Sequence, residues 1–338
     1  MADHGIEVLY TVLDVLIAVA CCLGNLLVIW AVWMCGAMRR QPTFCFIASL
    51  AVADFLVGVV TVPVAVLVDG RVRTSFYGCM ALCSVVIILP LASVHSLLAI
   101  ALDRFLRVYI PLRYKRTVTQ MRTWTTVCVC WFSAVILGFV PLFGWNRYET
   151  LAEMKASNST TITCTFLAVI PMTYMVNFIF FICLLPPLVL MMVLYLCIFT
   201  RIHKQLRGSG ASGSGSHTYY QKERKLAQSL LLVLVLFAVC WLPLHFMNAI
   251  SFYGATVPHQ AFYVGILLSH ANSAVNPVIY ALKIQKIKSA FWTIWTRYFI
   301  CKDDQETTKS SQTTASTTTN EQDLKVERSN AFPVMHLI

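Results

Sequence analysis

The sequence is poor in charged residues. Asp, Glu, Lys and Arg make up 12% of its 338 residues, whereas hydrophobic residues make up 58%. A soluble domain has about 25% charged residues, and a globule of this size has too little interior to bury so much apolar surface. No Lys or Arg precedes Arg39, so the basic segment that begins a secretory signal peptide is missing. The composition excludes a cytosolic enzyme and indicates an integral membrane protein.

Long apolar runs take the place of charge. Seven of them, each of roughly 20 residues or more, can cross a bilayer as helices, because a hydrocarbon core of about 30 Å requires that length. They cover residues 9–34, 43–68, 76–109, 123–143, 172–200, 226–253 and 259–282. The runs do not alternate as the strands of a membrane β-barrel would. We therefore predict an all-α membrane protein, a bundle of seven transmembrane helices.

The net charge of +11 is unevenly distributed. Basic residues lie between the runs on one predicted face of the membrane, although Arg71 and Arg73 fall on the other. By the positive-inside rule, the N-terminus is outside the cell and the C-terminus is cytoplasmic. The pattern indicates membrane lipid, not nucleic acid, as the partner of the basic residues. Residues 208–216, rich in Gly and Ser, are expected to form a flexible inner loop.

The segment after the last run is different in character. Residues 283–298 predict a short amphipathic eighth helix on the membrane surface, with an apolar side formed by Phe291, Trp292, Trp295 and Phe299. We therefore divide the chain into a helical domain at 1–298 and a disordered cytoplasmic tail at 299–338. Cys301 is a candidate for palmitoylation. Asn158, in an Asn-Ser-Thr triplet of a predicted outer loop, is a candidate for glycosylation.

Polar residues within the apolar runs are costly, so each is a functional candidate. Six motifs around them resemble those of rhodopsin-like (class A) G-protein-coupled receptors. In chain order they contain Asn25 (GNLLV), Asp54 (SLAVADF), Asp103-Arg104-Phe105, Trp131, Cys240-Trp241-Leu242-Pro243 and Asn276-Pro277-Val278-Ile279-Tyr280. The resemblance covers the chain from Asp14 to about Tyr298. It implies a disulfide between Cys79 and Cys164, which lie at run boundaries.

Further motifs narrow the resemblance to the adenosine receptors. They are Phe143-Gly144-Trp145-Asn146, Cys164-Thr165-Phe166, the segment from Pro171 to Val176, Trp241 to His245 with Asn248, and Leu268 to Ser273. The sequence from Asp103 to Val108 is similar to the inhibitory-coupled types 1 and 3 of that family. The resemblance implies a plasma-membrane receptor for extracellular adenosine that lowers cAMP through an inhibitory heterotrimeric G protein. It also implies arrestin and receptor kinases as partners of the Ser/Thr-rich tail.

The family's ligand site can be placed on this chain residue by residue. The resemblance implies that adenine stacks on Phe166 and pairs with the Asn248 amide, which offers a donor and an acceptor. It implies that Ser269 and His270 contact ribose and that His270 can pair with Asp14, where the family usually has Glu. The remaining residues of the implied site are Trp241, Leu244, His245, Met175 and Ile266. An interior histidine that only packs is the alternative for His245.

The third helix departs from the family pattern. Pro90 stands where the family has a Thr that contacts ribose, and Leu91 stands where it has Gln or His. Proline has no side-chain donor and no backbone N–H, so we expect one ribose contact to be lost and the helix to be distorted. This departure leaves open an alternative function, a class A receptor for another purine or for an orphan ligand.

The resemblance also implies a sodium site and a coupling switch. The sodium ion, an allosteric modulator, is expected at Asp54, Ser93, Asn272, Ser273 and Asn276, and a protonated Asp54 is the alternative. The switch is expected at Asp103, Arg104, Glu223, Tyr195 and Tyr280. A solvated surface charge is the alternative for Glu223.

Other function classes are disfavoured. An aminergic receptor would need a carboxylate where Val86 stands, a transporter would show internal repeats, and a membrane enzyme would need a catalytic cluster. His95, His245 and His270 come from different helices without metal-ligand spacing.

Overall fold

The computed structural model describes residues 2–156, 159–208 and 214–300. Seven long helices follow one another along these residues. They are α1 (Ala2–Met34), α2 (Pro42–Leu67), α3 (Phe76–Tyr109), α4 (Gln120–Gly138), α5 (Tyr174–Leu184 continued by Leu185–Gly208), α6 (Ser214–Phe252) and α7 (His259–Lys283). Short helices lie between them at Gly36–Arg39, Pro111–Thr117, Val140–Phe143, Tyr148–Ala156 and Phe166–Val169. The predicted all-α fold with seven long helices is confirmed.

Six of these helices, α1 to α6, are long and apolar enough to cross a membrane. The seventh carries a run of polar side chains in its middle, which lowers its apolar character. These side chains are buried against the other helices: Ser269, His270, Asn272, Ser273 and Asn276. A helix that turns polar side chains toward a bundle interior is expected where a membrane protein has a functional site.

The ends of α5 and α6 differ from the prediction. The apolar runs end at residue 200 and begin again at residue 226, but α5 continues to Gly208 and α6 already begins at Ser214. The predicted flexible loop at 208–216 is therefore wrong at both ends, and only residues 209–213 lie outside the described residues. Hydropathy records where the apolar part of a helix ends, whereas the helix itself can continue into water.

Pro90 does not interrupt α3, whereas prolines of α2 and α5 follow irregular turns. The third helix runs unbroken from Phe76 to Tyr109 through Pro90, so the predicted distortion there is not found. Leu89 and Leu91 on either side are buried, and neighbouring helices hold the turn in place. Two other helices contain wider, π-helical turns just before a proline, at Val57–Thr61 ahead of Pro63 and at Tyr174–Leu184 ahead of Pro186.

Helix α3 lies at the centre of the bundle. It packs against α2, α4 and α5, while α1 packs against α2 and α7, and α6 packs against α5 and α7. Gly138 permits a close approach of α4 to α3, because a Cβ atom there would lie 2.3 Å from the Ile88 side chain. His95 of α3 also joins α4 through Ser133 at 3.0 Å. These contacts fix α3 against α4, and α3 itself extends from Phe76 to Tyr109.

One end of the bundle carries a small sheet and the disulfide. Strand β1 (Asp69–Thr74) pairs antiparallel with strand β2 (Ile162–Thr165), with Arg73 opposite Thr163. Cys79 at the start of α3 is bonded to Cys164 of β2, which confirms the predicted disulfide. We call this the disulfide end of the bundle, and the opposite end, which carries Arg104, the arginine end.

A short amphipathic helix follows α7. This helix, α8, spans Gln285–Trp295 and so begins two residues later than predicted. It buries Ile287 and Ile294, whereas the predicted apolar-side residue Trp292 is 66% exposed. A second compact unit begins at Trp295, and its described part includes the π-helical segment Thr296–Ile300. Asn158 and Cys301, the candidates for glycosylation and palmitoylation, lie outside the described residues.

Candidate functional site

Helix α6 supplies much of the predicted ligand site. Trp241, Leu244, His245 and Asn248 recur at intervals of three or four residues, which places them on one face of the helix. The predicted residues of α7, Ile266, Ser269 and His270, follow the same spacing. The two helices approach each other closely here, because a Cβ atom on Gly265 would lie 3.4 Å from the Leu244 backbone.

Around Trp241 and His245, this face of α6 is aromatic. The His245 ring stacks on Phe180 of α5 with a centroid distance of 5.4 Å and an interplanar angle of 8°. Trp241 lies one turn away, 6.0 Å from His245. Within the described part of the chain, neither the Trp241 Nε1 nor the His245 Nδ1 has a hydrogen-bond partner. A buried polar atom without a partner costs about 1–3 kcal/mol, so these atoms mark where a ligand or water would be favourable.

His270 and Asp14 join α7 to α1. The His270 Nδ1 lies 2.7 Å from the Asp14 carboxylate, and both side chains are almost fully buried. The shorter Asp side chain therefore reaches the histidine. The second oxygen of Asp14 has no partner among the described residues. The neighbouring Ser269 hydroxyl donates to the backbone oxygen of Ile266 at 2.7 Å, which leaves its own oxygen available as an acceptor.

A cavity at the disulfide end is lined by residues close along the chain to Phe166 and Asn248. Phe166 begins the short helix two residues after the disulfide, and its half-buried ring packs on the core near that end. The cavity has a volume of about 490 Å³, and its lining includes Leu167, next to Phe166, and Phe252, one turn beyond Asn248. The predicted ligand residues themselves do not line it. In the described ranges the Asn248 amide makes no hydrogen bond within the protein.

The third helix presents an apolar surface at its predicted contact positions. Leu91 is buried, and Pro90 is partly buried. Neither side chain can donate or accept a hydrogen bond.

A second polar cluster surrounds Asp54 of α2 in the middle of the bundle. Its fully buried carboxylate accepts hydrogen bonds from Ser273 at 2.8 Å, from Asn276 at 2.8 Å and from Ser93 at 3.5 Å. The side-chain oxygens of Asn272 and Asn276 have no donor among the described residues. All five predicted residues of this cluster are buried. The cluster thus combines a carboxylate with further oxygen atoms, the donor set that a hard cation prefers.

The third cluster lies at the arginine end. Arg104 is fully buried, and its guanidinium contacts Asp103 at 2.6 Å and Glu223 of α6 at 3.0 Å. Glu223 therefore takes part in a buried ion pair and is not a solvated surface charge. Tyr195 and Tyr280 are buried as well, and the Tyr280 hydroxyl has no hydrogen-bond partner in the ranges described.

Three residues of this cluster were missed by the sequence reasoning. Thr43 and Tyr114 each donate a hydrogen bond to the Asp103 carboxylate at 2.5 Å, and Arg107 contacts the second oxygen of Glu223 at 3.1 Å. Thr43 also accepts a very short hydrogen bond from Arg104. Burial raises the pKa of Tyr114 above its usual value, and the neighbouring carboxylate adds to this effect. Tyr114 therefore remains a neutral donor to Asp103.

Comparisons with known proteins agree with this arrangement. Residues 24–280 match the family model described as 7 transmembrane receptor (rhodopsin family). The chain is 41% identical over 306 residues to adenosine receptor A3 of Canis lupus familiaris, covering 90% of this chain and 96% of the relative. It is 41% identical over 309 residues to adenosine receptor A3 of Ovis aries, covering 91% and 96%. Adenosine receptor A3 of Bos taurus is 40% identical over 309 residues, with the same coverage.

Proposed function

Because the chain belongs to the adenosine receptors, within the rhodopsin-like (class A) G-protein-coupled receptors, we propose that it binds extracellular adenosine and lowers cAMP through an inhibitory G protein. The chain is a multi-pass plasma-membrane protein and not an enzyme. In the proposed orientation, the disulfide end and the N-terminus face the outside, and the arginine end and the C-terminus face the cytoplasm.

The ligand proposal rests on the free amide of Asn248. This amide lies on the same α6 face as Trp241 and Leu244, one turn from the cavity at the disulfide end. An amide that is not used inside the protein can give adenine both a donor and an acceptor. Phe166, whose neighbour Leu167 lines that cavity, is proposed to supply an aromatic face for the base. The Ser269 oxygen and the His270 ring supply polar atoms for ribose.

The proposed signal is a shift between two states of the bundle. In one state Arg104 is held by Glu223, and α3 and α6 are joined at the arginine end. A ligand that binds better to a state in which this pair is broken will shift the population toward it. The surface released by α6 would then bind the G protein. Trp241 lies on the same face of α6 as the proposed ligand residues Leu244 and Asn248. We propose that it transmits the change along α6.

The Asp54 cluster supports a proposed sodium site. Asp54 is fully buried and accepts hydrogen bonds only from uncharged groups among the described residues. The unpaired side-chain oxygen of Asn272 adds a second oxygen atom without a donor. Asp54, Ser93, Asn272, Ser273 and Asn276 would hold the ion, which would balance the carboxylate charge and favour the closed state.

Further partners are proposed for the segment beyond the described residues. The Ser/Thr-rich tail is proposed to bind receptor kinases and arrestin after phosphorylation. Palmitoylation of Cys301 would attach the end of α8 to membrane lipid. Glycosylation of Asn158 would mark the outer loop that carries it.

Cyclic AMP in living cells tests the proposed function. Adenosine is titrated against forskolin-stimulated cells that express the chain, with surface expression measured in parallel. We expect a dose-dependent fall in cAMP that Asn248→Ala abolishes. Asn177→Ala is the matched control, because Asn177 is an exposed asparagine of α5. A rise in cAMP would overturn the inhibitory coupling, and no response with normal expression would overturn adenosine as the ligand.

The apolar surface of α3 favours a second candidate function. Pro90 and Leu91 offer no hydrogen bond where the family resemblance implies ribose contacts. A ligand with fewer hydroxyl groups, such as another purine, would lose less there than a nucleoside would. Titrating adenine and other purine bases in the same assay separates the candidates, since the second one requires a base to be more potent than adenosine.

A further inference from the structure

A third sulfur atom lies beside the disulfide. The Sγ atoms of Cys79, Cys83 and Cys164 all lie within 4.8 Å of one another, and all three side chains are buried. Cys79 and Cys164 are bonded to each other, whereas Cys83 is a free thiol. In the described part of the chain, no other group of three cysteine, histidine or acidic side chains is this close.

The spacing along α3 explains the arrangement. Cys79 and Cys83 are four residues apart, so they lie on one face of the helix in consecutive turns. One helical turn advances about 5.4 Å along the axis. Cys164 comes from strand β2, which lies against this face, and it meets both cysteines of α3. Cys164 therefore lies near two cysteine sulfurs but can form a disulfide with only one of them.

We propose that Cys83 is an alternative disulfide partner of Cys164 and that the two pairings interconvert by thiol–disulfide exchange. The Cys83 sulfur, as the thiolate, attacks the Cys164 sulfur, and the bond between Cys79 and Cys164 breaks. The electron pair of that bond leaves with Cys79, which takes up the proton that Cys83 lost. One disulfide and one thiol are present before and after, so no oxidant or reductant is consumed.

Burial sets when the exchange can occur. The three sulfurs lie in an apolar cluster with Phe76, Met80 and Val169, closed to solvent. The attack therefore requires local opening of the disulfide end, by motions of the kind that open loops without unfolding the molecule. External thiols are excluded by the same packing, which makes Cys83 the thiol best placed to react.

The alternative bond would change the loop that carries Phe166. Its attachment point would move one turn along α3, deeper into the bundle. Phe166 lies two residues after Cys164, and Thr163, the residue before Cys164, is paired with Arg73 in the sheet. A shift of Cys164 would therefore move both Phe166 and the sheet, so the two disulfide isomers would present different surfaces at the disulfide end.

Two other interpretations fit less well. A buried cysteine can act simply as a small hydrophobic residue. Cys183 is such a residue in the same cluster, but among the described residues it does not belong to the group of three sulfurs that contains Cys83. A metal site would need three free thiolates, and two of the sulfurs are used in the disulfide.

The positions of methionine make the test direct. Cyanogen bromide cleaves after methionine in acid, where exchange is quenched. Cleavage after Met80 separates Cys79 from Cys83, and cleavage after Met38, Met121, Met154 and Met172 completes the set. Cys164 then lies on fragment 155–172, which is joined either to fragment 39–80 through Cys79 or to fragment 81–121 through Cys83. Mass spectrometry of the unreduced digest counts the two products.

Full-length wild-type receptor in detergent is digested before and after incubation at mildly alkaline pH, which favours the thiolate, with no thiol added. We expect the 81–121 product as a minor fraction that grows during incubation, with Cys79 becoming reactive to maleimide in proportion. Cys83→Ser should remove this product, and Cys183→Ser, the matched control, should leave it unchanged. If wild-type receptor yields only the 39–80 product after incubation, the proposal is wrong, whatever the variants do.

The variant Cys79→Ser provides a second measurement. We expect Cys164 to be bonded to Cys83 in most of the molecules that reach the cell surface. The double variant Cys79→Ser/Cys83→Ser should lose the bond and most surface expression. A free Cys164 thiol in surface-expressed Cys79→Ser would contradict the proposed partnership.

Discussion

At the scale of single residues, one carboxylate holds two helices together. Glu223 of α6 gives one oxygen to Arg104 and the other to Arg107, at 3.0 and 3.1 Å. Arg104 in turn is held by Asp103, which Thr43 and Tyr114 keep in place through hydrogen bonds. Since α3 supplies both arginines, the loss of the Glu223 charge would weaken both links between α3 and α6 at once.

The first prediction concerns this charge. Glu223→Gln keeps the size of the side chain and removes its charge, so we expect basal signalling to rise. Hydrogen bonds to charged groups contribute about 1.5–3 kcal/mol, which corresponds to roughly tenfold or more in the equilibrium between the two states. Ligand-free nucleotide exchange on a purified inhibitory G protein measures the change.

Glu149→Gln is the matched control for this experiment. Glu149 lies in the short helix Tyr148–Ala156, its carboxylate is 3.7 Å from the Arg147 guanidinium, and its side chain is 83% exposed. Exposed pairs of this kind contribute little, so basal signalling should stay at the wild-type level. Equal basal activity of Glu223→Gln and wild type would show that the buried pair does not hold the closed state.

The second prediction concerns the carboxylate of Asp54. Asp54→Asn keeps the hydrogen-bonding shape and removes the charge that would hold sodium. In the wild type, agonist affinity should be lower in sodium chloride than in the chloride salt of a bulky organic cation at equal ionic strength. The variant should bind agonist equally in both salts, as measured by radioligand competition. A sodium effect that survives in Asp54→Asn would place the ion elsewhere.

Some residue positions could be predicted from the sequence and others could not. The contacts of His270 with Asp14 and of Arg104 with Glu223 were expected from motifs, because each motif fixes a helix and a face. Thr43 and Tyr114 belong to no such motif, and their partner Asp103 lies 60 and 11 residues away along the chain. The role of Thr43 depends on how the start of α2 packs on α3, and that of Tyr114 on how the short helix Pro111–Thr117 packs, which local patterns do not report.

At the scale of elements, α3 is the helix whose sequence and structure disagree most. A proline in the middle of a helix removes one backbone hydrogen bond and is costly in an isolated helix. Pro90 is nevertheless accommodated in an unbroken α3, since this helix is surrounded by α2, α4 and α5. Packing, which depends on the whole bundle, overrides the local preference.

The third prediction uses two substitutions at this position. Pro90→Thr adds a hydroxyl where the family resemblance implies a ribose contact, and Pro90→Ala restores the backbone N–H without a hydroxyl. If the missing hydrogen bond limits binding, Pro90→Thr should raise adenosine affinity by about tenfold or more, as expected for a contact of about 1–3 kcal/mol. Radioligand competition with adenosine measures the affinity.

Pro90→Ala separates the two possible causes. We expect it to raise the Tm of the purified receptor, because the helix regains a hydrogen bond, and to leave adenosine affinity within about twofold. An equal gain in affinity for both variants would assign the effect to helix geometry and not to the hydroxyl.

The extent of the helices was only partly predictable. Hydropathy located all seven, because a span needs about 20 apolar residues. It missed the extensions of α5 to Gly208 and of α6 from Ser214, whose residues are polar on the outside. It also missed the π-helical turns and the pairing of β1 with β2, since a strand of four to six residues has no signal of its own in a membrane protein.

At the scale of the whole molecule, α3 and α6 both connect the disulfide end with the arginine end. Helix α3 carries Cys79 at one end, Ser93 beside Asp54 in the middle and Arg104 at the other end. Helix α6 carries Glu223 at the arginine end and Asn248 toward the disulfide end. A change in how α6 packs on α3 therefore affects the proposed ligand site and the proposed G-protein surface together.

The fourth prediction follows from this shared movement. If agonist and G protein favour the same state, each must raise the binding affinity for the other by the same factor. We expect a nucleotide-free inhibitory G protein to raise agonist affinity by about 5- to 150-fold for receptor in lipid nanodiscs. Radioligand competition with and without the G protein measures the factor, and GTP should reverse it.

Glu223→Gln gives a stricter test of the coupling between agonist binding and G-protein binding. If this variant is already shifted toward the open state, its agonist affinity without G protein should be higher than that of wild type. The further gain from G protein should then be smaller by the same factor, because part of the free energy of opening no longer has to be supplied. A variant with raised basal signalling and wild-type agonist affinity would mean that the arginine end opens without the ligand site, and the two-state description of the bundle would have to be replaced by one with at least three states.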